Sequence, residues 1–262
     1  MLYSYPPLLP GTLVKRYKRF FADIELDSGE LITAHCPNTG PMTGVYQPGA
    51  QVYVSQSDNP KRKLAYTWEL IQVHDNGPTW VGVNTNLPNR VIYAALGQRL
   101  WPQLGDYQTI QREVPYGQEG SRIDFCLHYG NNRDHGDTAA DTKPETEKAD
   151  RSRSAPEPAP LYLEVKNTTW VQGRLALFPD TVTTRGQKHL RELIALVPEY
   201  RAVMLYFINR DDCPQFAPGD EKDPTYGKLL REAMDKGVEV LPCRFTVSPE
   251  GIDYVGLGEL VL

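Results

Sequence analysis

Two short apolar segments carry charge where a buried strand has little use for it. In Ser121-Arg122-Ile123-Asp124-Phe125-Cys126-Leu127 the alternation of an extended chain sends Ile123, Phe125 and Leu127 to one face and Asp124 to the other. In Leu161-Tyr162-Leu163-Glu164-Val165-Lys166 the same period of two places Glu164 and Lys166 on one side. If these strands are neighbours in one sheet, Asp124, Glu164 and Lys166 meet. Two carboxylates at close range repel, so such a meeting requires a cation, a shared proton or a salt bridge. A plainer alternative stands beside it: a surface Glu164–Lys166 pair, with Asp124 paired to Arg122.

The segments around them predict an α/β domain. A strand is expected at residues 109–114, and the apolar run 202–208 reads as another. Residues 184–197 form the clearest helix, with Leu190, Leu193, Ile194 and Val197 on one side and Arg185, Lys188, His189 and Glu192 on the outward one. A second helix at 226–236 stops at Gly237 and leads into a strand at 238–241.

The first 86 residues have a different texture. Strands are expected at 12–26, 31–35, 51–55, 64–73 and 79–83, separated by turn residues such as Asp27-Ser28-Gly29 and Asn76-Gly77-Pro78. Five short strands in so little chain solve the exposed-edge problem by closing, which predicts a small barrel of the oligonucleotide-binding type. A linking helix follows within 88–107. The expected organisation is therefore an α+β chain of two domains: a five-stranded OB-type barrel at 1–86, then an α/β domain at 87–262. Residues 130–160 lack large apolar side chains and hold seven acids against five bases, which predicts a disordered insertion.

The net charge of -5 gives no overall basic character, so any polyanion-binding surface must be local. Two basic clusters supply candidates, Lys15, Arg16, Lys18 and Arg19 among aromatics, and Lys61-Arg62-Lys63. Protection of a strand edge would use the same residues. No apolar run of membrane-spanning length occurs, and Cys36, Cys126, Cys213 and Cys243 fall in no metal-ligand spacing, so a cytoplasmic protein with no membrane partner is expected. The oligomeric state stays open, a homodimer included. A hard cation, magnesium or manganese, in one or two copies, suits Asp124 and Glu164, because it takes carboxylate, water and phosphate oxygens. Lys166 beside it would orient the attacking water or offset developing negative charge.

The order Asp, Glu-x-Lys, then a helix opening with polar residues resembles the PD-(D/E)xK nuclease superfamily. The runs Ser121-Arg122-Ile123-Asp124-Phe125, Glu164-Val165-Lys166-Asn167, Phe178-Pro179-Asp180, Arg185-Gly186-Gln187-Lys188-His189-Leu190 and His35-Cys36-Pro37-Asn38-Thr39-Gly40 resemble the sugar fermentation stimulation protein A family over nearly the whole chain. The resemblance implies a DNA-binding protein whose OB-type barrel precedes a nuclease-like domain, with a link to maltose metabolism. It implies Asp124, Glu164 and Lys166 as catalytic residues, and Glu113 as a further metal carboxylate. It also implies DNA contacts from the two basic clusters and from Arg185, Gln187 and Lys188. Glu113 as an exposed edge residue, and Gln187 and Lys188 as helix-capping or solubilising residues, remain the alternatives. His189 is expected to be packed or hydrogen-bonded rather than catalytic. Two departures from the family pattern are Pro41, where a basic residue is expected, and the length of the 130–160 insertion. The function expected is magnesium-dependent hydrolysis of DNA phosphodiesters by a metal-dependent deoxyribonuclease of little sequence preference. Its rival is a non-catalytic DNA-binding regulator.

Overall fold

The structure is a computed structural model of the 262-residue chain and describes residues 1–130 and 158–262. The insertion expected at 130–160 lies, apart from its ends, outside the described residues. After β1 (Tyr3–Ser4), the first half contains β2 (Leu8–Tyr17), β3 (Phe21–Leu26), β4 (Leu31–His35), β5 (Gln51–Gln56), β6 (Tyr66–Val73) and β7 (Thr79–Gly82). Strands β4-β3-β2-β5-β6 follow one another around a sheet that closes where β4 runs parallel to β6, through Ala34–Tyr66 and His35–Thr67. This is the OB-type closure, and its interior is filled by Leu13, Ile24, Ile32, Val52, Val54, Trp68 and Ile71.

The five strands of the barrel are not quite the five expected. The stretch 12–26 is a hairpin of β2 and β3 rather than one strand, and β7 lies outside the closure, paired to β6. The hairpin escapes detection because its reversal uses Lys18 and Arg19 in the left-handed region, at φ 47° and 66°, with no Gly, Asn or Pro to mark it.

Then come α1 (Leu87–Gly97), β8 (Thr109–Tyr116), β9 (Ser121–His128), β10 (Leu161–Thr168), β11 (Trp170–Gln172), β12 (Leu175–Phe178), α2 (Thr184–Leu196), β13 (Arg201–Ile208), β14 (Gln215–Pro218), α3 (Pro224–Lys236), β15 (Glu239–Val247), β16 (Gly251–Leu257) and β17 (Glu259–Leu260). Seven of the strands form a mixed sheet in the order β1-β16-β15-β13-β10-β9-β8. The unbroken apolar run of β13 follows from its central place. Val203, Leu205 and Phe207 enter the core beneath α1, while Ala202, Met204, Tyr206 and Ile208 enter the core beneath α2 and α3. A small sheet, β11-β12-β14-β17, flanks it.

Both later helices are fixed at their starts by side chains. The Thr183 hydroxyl oxygen accepts the Gly186 N–H to open α2, and Asp223 accepts the Tyr226 N–H to open α3, which ends at Gly237 with φ 104°. The outward face expected of α2 is only partly outward, since His189 and Glu192 on it are buried. Each meets a polar partner there: His189 bonds Glu164, and Glu192 accepts the Glu119 N–H at 3.2 Å.

The barrel meets the second sheet through close backbone approach. Gly82 N–H donates to the Asn209 carbonyl at 3.2 Å, and the Asn209 amide nitrogen donates to the Gly82 carbonyl at 3.2 Å and to Asn167 Oδ1 at 3.0 Å. A Cβ at position 82 would collide with the Asn209 side chain. Gly82→Ala is therefore expected to cost about 1–3 kcal/mol of stability, as overpacking does. A urea midpoint unchanged from wild type would show that this contact yields without cost.

Glu69 on β6 is buried, accepting Ser55 Oγ–H at 2.7 Å and Asn84 Nδ2–H at 2.8 Å. Burial raises its pKa. The folded chain therefore binds this proton more tightly than the unfolded chain. The resulting stability is present at acidic pH and is lost as pH rises from the ordinary Glu value through the raised one. Glu69→Gln is expected to flatten that fall, seen as a wild-type minus variant difference in urea midpoints that changes as pH rises above the ordinary Glu value.

Candidate active site

The β9–β10 ladder runs through Leu127–Leu161, Cys126–Tyr162 and Phe125–Leu163. Beyond Phe125–Leu163 the Asp124 side chain replaces the ladder, accepting the Val165 N–H through Oδ2 at 2.7 Å. Its other oxygen accepts Asn89 Nδ2–H, from the first turn of α1, at 2.7 Å. The simple alternation expected of β9 breaks here: Phe125 and Leu127 pack beneath α1, but Ile123 packs with Cys126 beneath α2. Across from Asp124, between the pairs Arg112–Phe125 and Val114–Ile123, stands Glu113, in a left-handed conformation at φ 53°. Such strain in a side-chain-bearing residue collects at functional sites.

Glu164 is 3% exposed on the α2 face of β10. Lys166 Nζ donates to its Oε1 at 2.6 Å, and His189 Nδ1 meets the same oxygen. Arg185 Nε lies 3.4 Å from His189 Nε2, so that nitrogen accepts and Nδ1 carries the proton given to Glu164. Burial alone would raise the Glu164 carboxyl, but the Lys166 charge and the His189 donor outweigh it and hold it below its ordinary value. Asp124 goes the other way, pushed up to about 6 by burial and then by the Glu164 charge, against the Val165, Lys166 and Asn89 contributions.

Asp124, Glu164 and Lys166 line one cavity of about 400 Å³, together with Glu113, Arg112 and Arg185. The donor set fits a hard cation. Glu164 Oε2 is buried without any hydrogen-bond partner, and Asp124 sits at the same opening with its charge opposed by Glu164. Among the described residues no three His, Cys, Asp or Glu side chains are gathered as a ready-made coordination sphere. A cation here would fill its remaining positions with water or substrate oxygens, as magnesium does.

Of the ten basic or polar residues expected to touch DNA, only Arg185 lines this cavity. Gln187 bonds Asp223 at 2.9 Å, and Lys188 reaches the Glu119 carbonyl at 2.5 Å. On the barrel, Arg16 clamps the carbonyls of Asn38 at 2.7 Å and Gly40 at 2.9 Å, while Arg19 holds that of Thr39 at 2.7 Å. Lys15 pairs with Asp23 at 3.4 Å and Arg62 donates to Thr67 at 2.6 Å. Lys18, Lys61 and Lys63 are exposed, as are Tyr17 and Phe20 in the same hairpin and Pro41 on the clamped loop. Sequence reasoning missed Asn89 and Arg112, which carry no motif of their own, and gave no role to Asn167 at the end of the Glu164–Asn167 run.

No helix among the described residues is long and apolar enough to cross a membrane. All four cysteines are buried and free.

An OB-type barrel, followed by a mixed α/β domain that holds paired carboxylates and a lysine in a cleft, defines the class. Residues 14–83 match the family described as the SfsA N-terminal OB domain, and residues 86–251 match the sugar fermentation stimulation protein RE domain. The chain belongs to the sugar fermentation stimulation protein family. Relatives named sugar fermentation stimulation protein homolog include one from Synechococcus elongatus, 66% identical over 100% of this chain and 98% of its own length. Others from Cyanothece sp. and Trichormus variabilis are 61% and 62% identical, each over 100% of this chain and 98% of its own length. The fold is shared with Pyrococcus furiosus SfsA in complex with Ca2+, at a TM-score of 0.80 and 22% identity, covering 100% of this chain and 99% of that one.

Proposed function

We propose that the cleft binds a divalent cation, magnesium or manganese, between Asp124 and Glu164 and hydrolyses phosphodiesters of DNA. The observation that carries this reading is that Glu164, whose buried Oε2 has no hydrogen-bond partner, lines the same cavity as Asp124 and Lys166. The Ca2+ described for the Pyrococcus furiosus relative supports a divalent site in this fold. The cation would polarise the phosphoryl group and lower the pKa of a bound water. Lys166 Nζ would face the charge that develops on the phosphoryl oxygens, with Arg185 and Arg112 holding the substrate anion. The exposed Lys18, Lys61 and Lys63 of the barrel, with Tyr17 and Phe20, would track the strand backbone. The buried thiols agree with a cytoplasmic location.

A second reading draws on a specific feature: Glu164 Oε1 is already neutralised by Lys166 and His189. On that reading the cleft grips phosphates without cutting, in a regulatory protein. Incubating the full chain with single-stranded and duplex DNA in magnesium or manganese, beside Asp124→Ala and Lys166→Ala, separates the two. Products formed by wild type and lost in both variants are expected. Equal inertness of all three in every metal eliminates hydrolysis and leaves only the gripping role.

A further inference from the structure

A second cavity of about 220 Å³ opens beside the carboxylate cleft and shares Thr85 and Asn167 with it. Its walls come from both domains. Asn38 reaches it from the barrel loop after β4, Trp170 from β11, Phe178 from β12, and Asp180 from the segment beyond. The barrel loop is held in place: Arg16 and Arg19 clamp its carbonyls, Asn38 Oδ1 accepts the Gly40 N–H at 2.9 Å, and Asp180 Oδ2 accepts the Thr43 N–H at 3.3 Å.

The two cavities have different chemistry. The first presents Arg112, Lys166 and Arg185 around its carboxylates, whereas no Lys or Arg is among the described residues that line the second. Its lining is two aromatic residues, a leucine, two neutral amides, two threonines and one carboxyl group that burial holds above its ordinary pKa. A polynucleotide has the complementary pattern, a charged phosphodiester joined through a sugar to a flat, neutral ring with a hydrogen-bonding edge. The volume is below the roughly 300–1,000 Å³ of whole-ligand sites and suits a single ring system. A base inside a duplex can enter such a recess only by leaving its stack and its partner.

We infer that the second cavity receives a nucleobase of an unpaired strand whose neighbouring phosphodiester lies at Asp124 and Glu164, so that the substrate is single-stranded nucleic acid. This inference rests on the phosphodiester reading of the first cavity. Asn38 and Asp180 read the base edge, and the base packs against the Trp170 and Phe178 side chains where they line the recess.

The test is an abasic scan. The full-length protein is titrated, in calcium buffer, with a short labelled oligothymidylate, with versions lacking one base at each successive position, and with the fully paired duplex. A ribose series is run in parallel to tell which polynucleotide supplies the base. Every phosphate is retained throughout the scan, so the electrostatic attraction is constant. One position is expected to lose affinity by about 5- to 150-fold, the range of a single base–aromatic stacking contact. The intact strand is expected to quench a tryptophan emission that Trp170→Phe no longer shows. Equal affinity for all abasic strands, or duplex binding as tight as single-strand binding, overturns the inference and leaves the phosphodiester reading standing. Failure of every oligonucleotide to bind overturns both.

Discussion

Glu164→Gln is expected to lower metal-dependent cleavage by about 10²- to 10³-fold under single-turnover conditions, while affinity for the same oligonucleotide in metal-free buffer stays close to wild type. The amide keeps the shape of the carboxylate and leaves an oxygen for Lys166 and His189. It removes the negative charge that a cation needs, so calcium or manganese affinity, read by calorimetry, falls with the activity. Lys166→Met separates the other half of the chemistry. Taking away the ammonium that donates to Glu164 Oε1 at 2.6 Å leaves that oxygen with the His189 donor alone and removes a positive charge that competes with a cation. Metal affinity is expected to hold or rise while the rate still drops by about 10²-fold or more. A Lys166→Met protein that cuts at the wild-type rate would remove the lysine from the chemistry. A Glu164→Gln protein that binds calcium as before would move the metal elsewhere.

Arg210→Met is expected to destabilise the chain by about 3–5 kcal/mol, the cost of breaking a buried ion pair by removing one partner. Arg210 is 1% exposed, with Nε 2.6 Å from Asp212, Nη2 2.8 Å from Asp75 in the β6–β7 connection, and Nη1 donating to the Thr169 carbonyl at 3.1 Å. Burial penalises the guanidinium charge, but the two aspartates more than offset it and raise its pKa. Methionine fills comparable space, so the loss is electrostatic: Asp212, its side chain 8% exposed, keeps its charge without a counter-ion, held by the Asn76 amide at 3.0 Å. Urea unfolding followed by tryptophan emission and by circular dichroism gives the size of the effect. A change under about 1 kcal/mol would place this cluster with ordinary surface pairs.

Much of this architecture was legible in the sequence, and the failures have physical causes. The strands carrying Asp124 and Glu164 were readable because a charge in an apolar alternation is costly without a partner. Their neighbours β13, α2 and α3 were readable from unbroken or period-matched apolar residues. The closure of the barrel followed from strand density alone. What escaped was conformation without compositional signal, such as the Lys18–Arg19 reversal, the backbone of Glu113, and strands of two to four residues such as β1, β12 and β17. In the site, carboxylates and lysine announced themselves through spacing. Asn89 did not, because an asparagine in a first helical turn looks like any other until the fold brings Asp124 to it. Arg16 and Arg19 show the converse: a basic cluster that suggested polyanion contact devotes two of its guanidiniums to the backbone of a neighbouring loop.

The pairing of Tyr3 with Ile252 and Ser4 with Gly251 means that the barrel is yoked to the larger sheet on both sides, by the strand entering it as well as by the helix leaving it. A module hung from one linker swivels, and any cleft at its border must be reassembled at each encounter. Two attachments remove that swivel, so the ordering entropy of the border is spent during folding rather than at each binding event.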